Sequence, residues 1–258
     1  MNLSDKRVLV TGGGSGIGLA LAEALVLQGC RVAICGRNPD KLQAAARQVP
    51  LLLTAVCDVR QPEDVAALDR TLQQAWGGID LLVNNAGVAD AYMVQHAPHW
   101  LAQAEREIET NLLGPLRLTN QFLPQLLTRP EAAIVNVTSG LALEPSPAAP
   151  GYSAAKAGLH AFTRVLRRQL RGTTVRVVEV QPPMVDTPMV ADSRVHKVSP
   201  AAVAAATVRG LERNRQEIPI GEVRLMKWGL RLIPWAVAAT LEHHPFQLKD
   251  AVHRRPPA

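Results

Sequence analysis

Short runs of apolar residues alternate with longer amphipathic stretches along most of this chain. "RVLVT" (7–11), "RVAIC" (31–35), "LLLTAVC" (51–57), "DLLVN" (80–84), "AIVNVT" (133–138) and "VRVVEV" (175–180) read as strands. They are nearly continuous in apolar residues instead of alternating apolar with polar, which suits strands covered on both faces. Helical periodicity spans about 16–29, 39–48, 62–76, 99–128 and 151–171. Such alternation requires crossover connections, so the pattern predicts an α/β protein with a doubly wound parallel sheet and helices on both faces. After residue 188 the pattern weakens. A helix is expected over 200–214, a short strand at "EIPIG" (217–221), then a helical tail interrupted by Pro234. No linker, low-complexity stretch or repeat divides the chain, so 1–258 is read as a single domain with 222–258 as its C-terminal tail.

Composition narrows the classes. At 47% hydrophobic, 258 residues can bury a substantial core. The formal charge is +6, carried by 22 Arg and 6 Lys. A basic balance is compatible with nucleic acid, anionic lipid or a phosphorylated ligand, and is expected here to reflect an ordinary solvated surface. Arg164, Arg167, Arg168 and Arg171 fall on one face of the 151–171 helix, but no aromatic residues are interleaved for base stacking. That face is expected to be solvated or a subunit contact, with no nucleic-acid partner. Cys30, Cys35 and Cys57 show neither a disulfide framework nor zinc spacing, and are read as buried thiols in a reducing compartment. The histidines, His243 and His244 included, show no metal-ligand spacing, so no metal is expected. "MNLSDKRVLV" enters a strand pattern without a signal-peptide apolar region, and Arg231 breaks the longest late apolar run. A cytoplasmic location and no membrane span are expected.

The first strand runs into "TGGGSGIG" (11–18), where Gly12, Gly16 and Gly18 follow a strand and open a helix. Glycines let the backbone turn tightly and approach a pyrophosphate, and the helix N-terminus offers free N–H groups. In this context the run reads as a dinucleotide-binding loop of a Rossmann fold. The second strand ends in Gly36 and Arg37 where an NAD-binding chain carries a carboxylate for the ribose 2′-OH. A guanidinium can pair with a 2′-phosphate, so NADP(H) is favoured over NAD(H). Further on, Tyr152 and Lys156 stand four residues apart, on one face of a helix. A free phenol has a pKa of about 10, and a neighbouring ammonium favours its ionised form. The spacing therefore suggests an acid–base pair tuned toward neutral pH, the plain alternative being a surface tyrosine beside an incidental lysine.

The chain resembles the short-chain dehydrogenase/reductase family over roughly residues 4–190. The motifs are "TGGGSGIG" (11–18), "CDV" (57–59), "NNAG" (84–87), "NLLG" (111–114), "VTSG" (137–140) and "YSAAK" (152–156), in that order. Three residues separate the first two motif glycines, unlike the extended type of the family. The resemblance implies a carbonyl/alcohol oxidoreductase using a nicotinamide cofactor. Ser139 would hydrogen-bond the reacting oxygen and Tyr152 would exchange the proton. Lys156 would bind the nicotinamide ribose and lower the tyrosine pKa, and Asn111 would hold a water in a proton relay. The cofactor would meet Gly12, Gly14, Ser15, Gly16, Ile17, Gly18 and Arg37, with Asp58 and Val59 at the adenine. Asn84, Asn85, Ala86 and Gly87 would line a strand end, and Pro182, Val185 and Thr187 the nicotinamide side. A homodimer or homotetramer through the 99–128 and 151–171 helices is also implied.

One departure stands out. "QPPMVDT" (181–187) places Pro183 where most members have glycine, removing an N–H and fixing φ. This motivates an alternative, an NADP(H)-binding sensor with little or no turnover. A looser resemblance, on the Pro-Pro form and "SGLA", is to a bacterial subgroup similar to the oxidoreductase of D-alanyl-lipoteichoic acid operons. Segments 139–145, 87–93 and 187–193 should border the reacting carbon. Their Leu141, Leu143, Val88, Met189 and Val190 imply a medium-sized, mostly apolar carbonyl or secondary alcohol. The tail from 222 is expected to act as a lid or an oligomer contact instead of lying on a membrane.

Overall fold

A computed structural model describes residues 1–190 and 197–233, together with Trp235 and Val237. The strands are β1 (Arg7–Thr11), β2 (Arg31–Gly36), β3 (Leu53–Val56), β4 (Leu81–Asn84), β5 (Ala132–Val137), β6 (Val175–Gln181) and β7 (Glu217–Pro219). They form one parallel sheet in the order β3-β2-β1-β4-β5-β6-β7. The order reverses between β1 and β4, which opens a crevice at their C-terminal ends, where ligands of doubly wound sheets bind.

Helices cover both faces, as the unbroken apolar strands require. On one side α1 (Gly16–Leu27) and α7 (Pro200–Glu212) bury Leu21, Leu25, Val203 and Leu211 against Val8, Val10 and Val180. On the other, α3 (Pro62–Trp76), α5 (Gly114–Leu127) and α6 (Pro150–Gln169) bury Leu72, Phe122 and Leu166 against Leu9, Leu82 and Ile134. Every residue of β5 is buried. The ends follow local chemistry. Asn38 caps α2 (Pro39–Gln48) by accepting from Lys41 N, and Ser199 caps α7 in the same way. Gly77, at φ 68°, ends α3.

Several boundaries differ from expectation. β3 begins at Leu53, not 51, because Leu51 sits at φ 78° and points to solvent. β7 stops at Pro219, and α8 (Val223–Leu232) follows. The expected 99–128 helix is α4 (Trp100–Ile108), a π-helical turn (Glu109–Leu113) and α5. Pro115 has no N–H for the Asn111 carbonyl four residues earlier, so the α-helical ladder cannot continue there, and Gly114 N–H bonds to Glu109 O. Pro234, His243 and His244 lie outside the described residues. The cysteines Cys30, Cys35 and Cys57 are free and buried. Among the described residues no helix is long and apolar enough to cross a membrane, and no group of three His, Cys, Asp or Glu side chains could hold a metal ion.

Candidate active site

The glycine loop is fixed by contacts that exclude side chains. Gly12 and Gly16 have φ of 67° and 54°. A Cβ on Gly12 would lie 2.9 Å from Ala86 Cα, and one on Gly18 would lie 2.3 Å from the Gly12 carbonyl oxygen. Gly12 and Gly13 donate N–H groups to Cys35 O at 2.8 and 3.2 Å, tying the loop to β2. Gly14 lies against Lys41, and half-buried Ile17 packs onto the core. The α1 N-cap, Ser15, makes no side-chain cap bond, so the first turn keeps N–H donors at the crevice. That uncapped turn fits a diphosphate.

Thr11 is a hub the sequence reading missed. Its buried hydroxyl donates to Val83 O and accepts from Asn85 N and Ala86 N, both at 3.0 Å. Asn85 Nδ2 returns to Thr11 O at 2.9 Å, so β1 and β4 are laced together at the crevice. Gly87 leaves room for Asn111 Oδ1, which would lie 2.6 Å from a Cβ there. Asn84 departs from expectation. Its side chain is buried, donating to Asn136 Oδ1 at 2.8 Å on the neighbouring strand.

At the far end of the crevice Arg37 is exposed after β2. Asp58 is half-buried and held by Arg60, whose Nη2 approaches to 2.6 Å and Nε to 3.0 Å. This pairing, opposed by burial, keeps the Asp58 carboxyl below its usual range, with Arg37 contributing. The Val59 side chain is buried against Gly114, which leaves its backbone as the part available at the crevice.

Ser139 follows β5 and Tyr152 and Lys156 lie on α6. The Lys156 ammonium is 5.6 Å from the centre of the Tyr152 ring and donates to Val137 O at 2.8 Å. Ser139 is buried, and its Oγ accepts from Leu141 N at 3.1 Å. The expected lowering of the Tyr152 pKa toward neutrality is not what this arrangement gives. Burial pushes the phenol up to about 12, the Ser139 hydroxyl pulls it back, and the Glu107 carboxylate adds to the rise. The same burial pushes Lys156 down to about 8, so the ammonium is itself disfavoured. Asn111 is fully buried. Its Nδ2 donates to Val88 O at 2.7 Å and Glu107 O at 2.9 Å, and its Oδ1 accepts from Val88 N at 3.2 Å.

Pro182 O accepts from Gly140 N at 3.0 Å, joining the ends of β5 and β6. Beyond Pro183 the chain returns to the glycine loop, with Thr187 Cγ2 3.0 Å from a Cβ built on Gly16. Val185 is buried and bridges Val198. Proline in place of glycine thus leaves Thr187 against the glycine loop at Gly16. Val223 and Met226 of α8 cover Gly140, at 3.1 and 3.4 Å from a Cβ there, so the tail borders the loop that carries Ser139. Leu141, Leu143 and Val88 are half-buried and Met189 is exposed, while Val190's side chain and 191–193 lie outside the described residues. A cavity of about 580 Å³ is lined by Leu141, Ala142, Glu144 and Pro145 of the loop after Ser139 and by Ser153, Ala154 and Ala157 of α6. Arg167 leaves the basic face, since it donates to Val177 O and Gln216 O.

The sequence of residues 6–198 matches the family model described as short chain dehydrogenase, and the chain belongs to that family. Its activity class is that of an oxidoreductase. It is 40% identical over 224 residues to the uncharacterized oxidoreductase DltE of Bacillus subtilis strain 168, covering 84% of this chain and 89% of that one. An uncharacterized oxidoreductase of Staphylococcus saprophyticus, SSP0419, is 33% identical over 83% of this chain and 94% of its own. Among solved structures, a short chain dehydrogenase from Burkholderia cenocepacia J2315 in complex with NADP superposes with a TM-score of 0.84 at 30% identity. That alignment covers 95% of this chain and all of that one.

Proposed function

We propose that the protein interconverts a medium-sized, mostly apolar carbonyl compound and its secondary alcohol, with NADP(H) preferred. The placement of Lys156 5.6 Å from the Tyr152 ring, beside buried Ser139, carries the catalytic reading. Ser139 holds the reacting oxygen. Tyr152 gives its hydroxyl proton to that oxygen in reduction and takes it back in oxidation. Lys156 hydrogen-bonds the nicotinamide ribose and favours phenolate when charged. Asn111 fixes the 87–88 loop and, with a water, relays the proton onward. The cofactor, when bound, supplies or removes the hydride and, oxidised, adds a positive charge beside the phenol.

Gly12, Gly14, Ser15, Gly16, Ile17 and Gly18 receive the diphosphate. Asp58 and the Val59 backbone border the adenine. Asn85, Ala86, Gly87, Pro182, Val185 and Thr187 frame the nicotinamide side. The preference for NADP(H) rests on exposed Arg37 after Gly36, in a crevice edge where the Asp58 charge is already paired with Arg60. A relative of the same fold, from Burkholderia cenocepacia, was solved with NADP. Assembly as a homodimer or homotetramer through α4–α5 and α6 belongs to the same reading.

Titration with NADPH and NADH, followed by a panel of ketones, alcohols and sugars graded by size, tests this. Wild type should bind NADPH more tightly, and Arg37→Asp should reverse the order. Equal affinity for the two cofactors, or faster turnover of polar sugars than of apolar ketones, would sink these specificity assignments.

A further inference from the structure

We infer that Glu107 and Tyr92 form a buried clip that positions Tyr152 and sets a carboxyl group beside the first turn of its helix. The inference rests on the reading above that Tyr152 exchanges the proton. Helix α6 starts at Pro150, and its N-cap is Ala149, which has no side chain to accept an orphan N–H. Tyr92 supplies that acceptor from another part of the chain. Gly151 N–H donates to the Tyr92 hydroxyl at 3.1 Å, and that hydroxyl donates to Glu107 Oε2 at 3.2 Å. Glu107 Oε1 accepts from Asp90 N at 2.7 Å, and Tyr92 N donates to Ala148 O at 3.0 Å. Tyr92 is therefore clasped to the chain on both sides of the helix start.

Gly151, the residue before Tyr152, has no space for a side chain. A Cβ would lie 2.4 Å from Glu107 Oε2, 2.5 Å from the Tyr92 oxygen and 2.8 Å from Ala104 Cα. Helix α4 thus touches the first turn of α6 directly. Glu107 and Tyr92 are 0% and 3% exposed, so water does not replace these bonds. Through its carbonyl, Glu107 also holds Asn111.

The charge has a direction. Tyr92, Asp90 and Arg106 surround Glu107, and Arg106 is paired with Asp90. Ser139, Lys156 and Glu107 act on Tyr152. Burial raises the Glu107 pKa, while bonds from Asp90 N and Tyr92 favour its anion. When ionised, Glu107 adds to the burial that disfavours the Tyr152 phenolate and so favours the protonated form that donates to a carbonyl.

Glu107→Gln keeps the shape and an acceptor oxygen but removes the charge. The ionisation limb of kcat/KM for alcohol oxidation should move to lower pH, with a faster rate below the limb. A purely structural role would lower the rate without moving the limb. Tyr92→Phe should lower kcat, leave cofactor KM unchanged and speed hydrogen exchange at the Gly151 amide. It also leaves Tyr152 as the sole tyrosine. Phenolate absorbance after stopped-flow pH jumps then reads Tyr152 without substrate or cofactor, and adding Glu107→Gln should shift that titration down. An unmoved limb and titration overturn the electrostatic role. If Glu107→Gln fails to fold, unchanged kcat and Gly151 exchange in Tyr92→Phe overturn the positioning role. Should Tyr152→Phe still turn over, the catalytic reading fails while the titration still decides the clip.

Discussion

At Lys156 burial and charge oppose each other. The residue is 4% exposed, and its pKa falls to about 8 from the model-peptide 10.5. In the unfolded chain it keeps its proton to the higher value. Between the two, the unfolded state binds the extra proton, so wild-type stability rises with pH across that window. Below about pH 8 the folded protein carries the full cost of a buried ammonium, on the order of a few kcal/mol. Lys156→Met lacks that cost but also orphans Val137 O. Its stability relative to wild type should be highest near neutrality and decline as pH rises through the window. Thermal melts at several pH values check this, and a pH-independent difference would contradict it. Ser139, Tyr152, Lys156 and Asn111 were legible because motif order and i, i+4 spacing are local properties of sequence. Thr11, Tyr92 and Glu107 were not, because their partners lie up to 75 residues away. A faint trace existed: Glu107 stands one helical turn before Asn111, and Tyr92 is the only other tyrosine. The expected direction of the Tyr152 shift failed because spacing places an ammonium near a phenol but does not reveal the desolvation that raises the phenol pKa and lowers that of Lys156.

The elements around the crevice were read correctly in kind and less well in detail. The apolar runs gave the strands, since coverage on both faces leaves a continuous signature. The π-helical turn was missed because hydrophobic periodicity continues smoothly through 109–113; the backbone signal was Pro115, four residues after Asn111. Helix α8 is the element whose role sequence left most open. Its Val223 and Met226 pack on Gly140, and Lys227 bonds to Gln181 Oε1 at 3.4 Å and pairs with Glu217. Leu225, Trp228 and Leu232 are exposed on the same helix. Deleting 222–258 should therefore uncover the Ser139 loop, raising apparent KM or changing the oligomeric mass. Steady-state kinetics with light scattering measures both, and a truncated protein with wild-type values for each would remove α8 from the pocket.

Across the whole molecule, one register level carries polar residues through four strands. Asn84, Asn136, Glu179 and Glu217 pair in sequence across β4 to β7. Asn136 Nδ2 donates to Thr163, and Glu179 accepts from Thr138 while facing His160 at 2.8 Å. On the face covered by α6 this row follows the last buried apolar residues, Ile134 and Val177, while Val137, Val180 and Ile218 carry the core one residue further on the other face. The doubly wound sheet places the glycine loop, the Ser139 turn and the start of α6 around the point where strand order reverses. That convergence makes the central claim a single one: a cofactor bound at the loop and a proton exchanged at Tyr152. Turnover by Tyr152→Phe with the best carbonyl substrate, measured beside its NADPH affinity, tests it most directly. Loss of turnover with unchanged NADPH binding is the predicted result; a variant that reduces the substrate at the wild-type rate contradicts it.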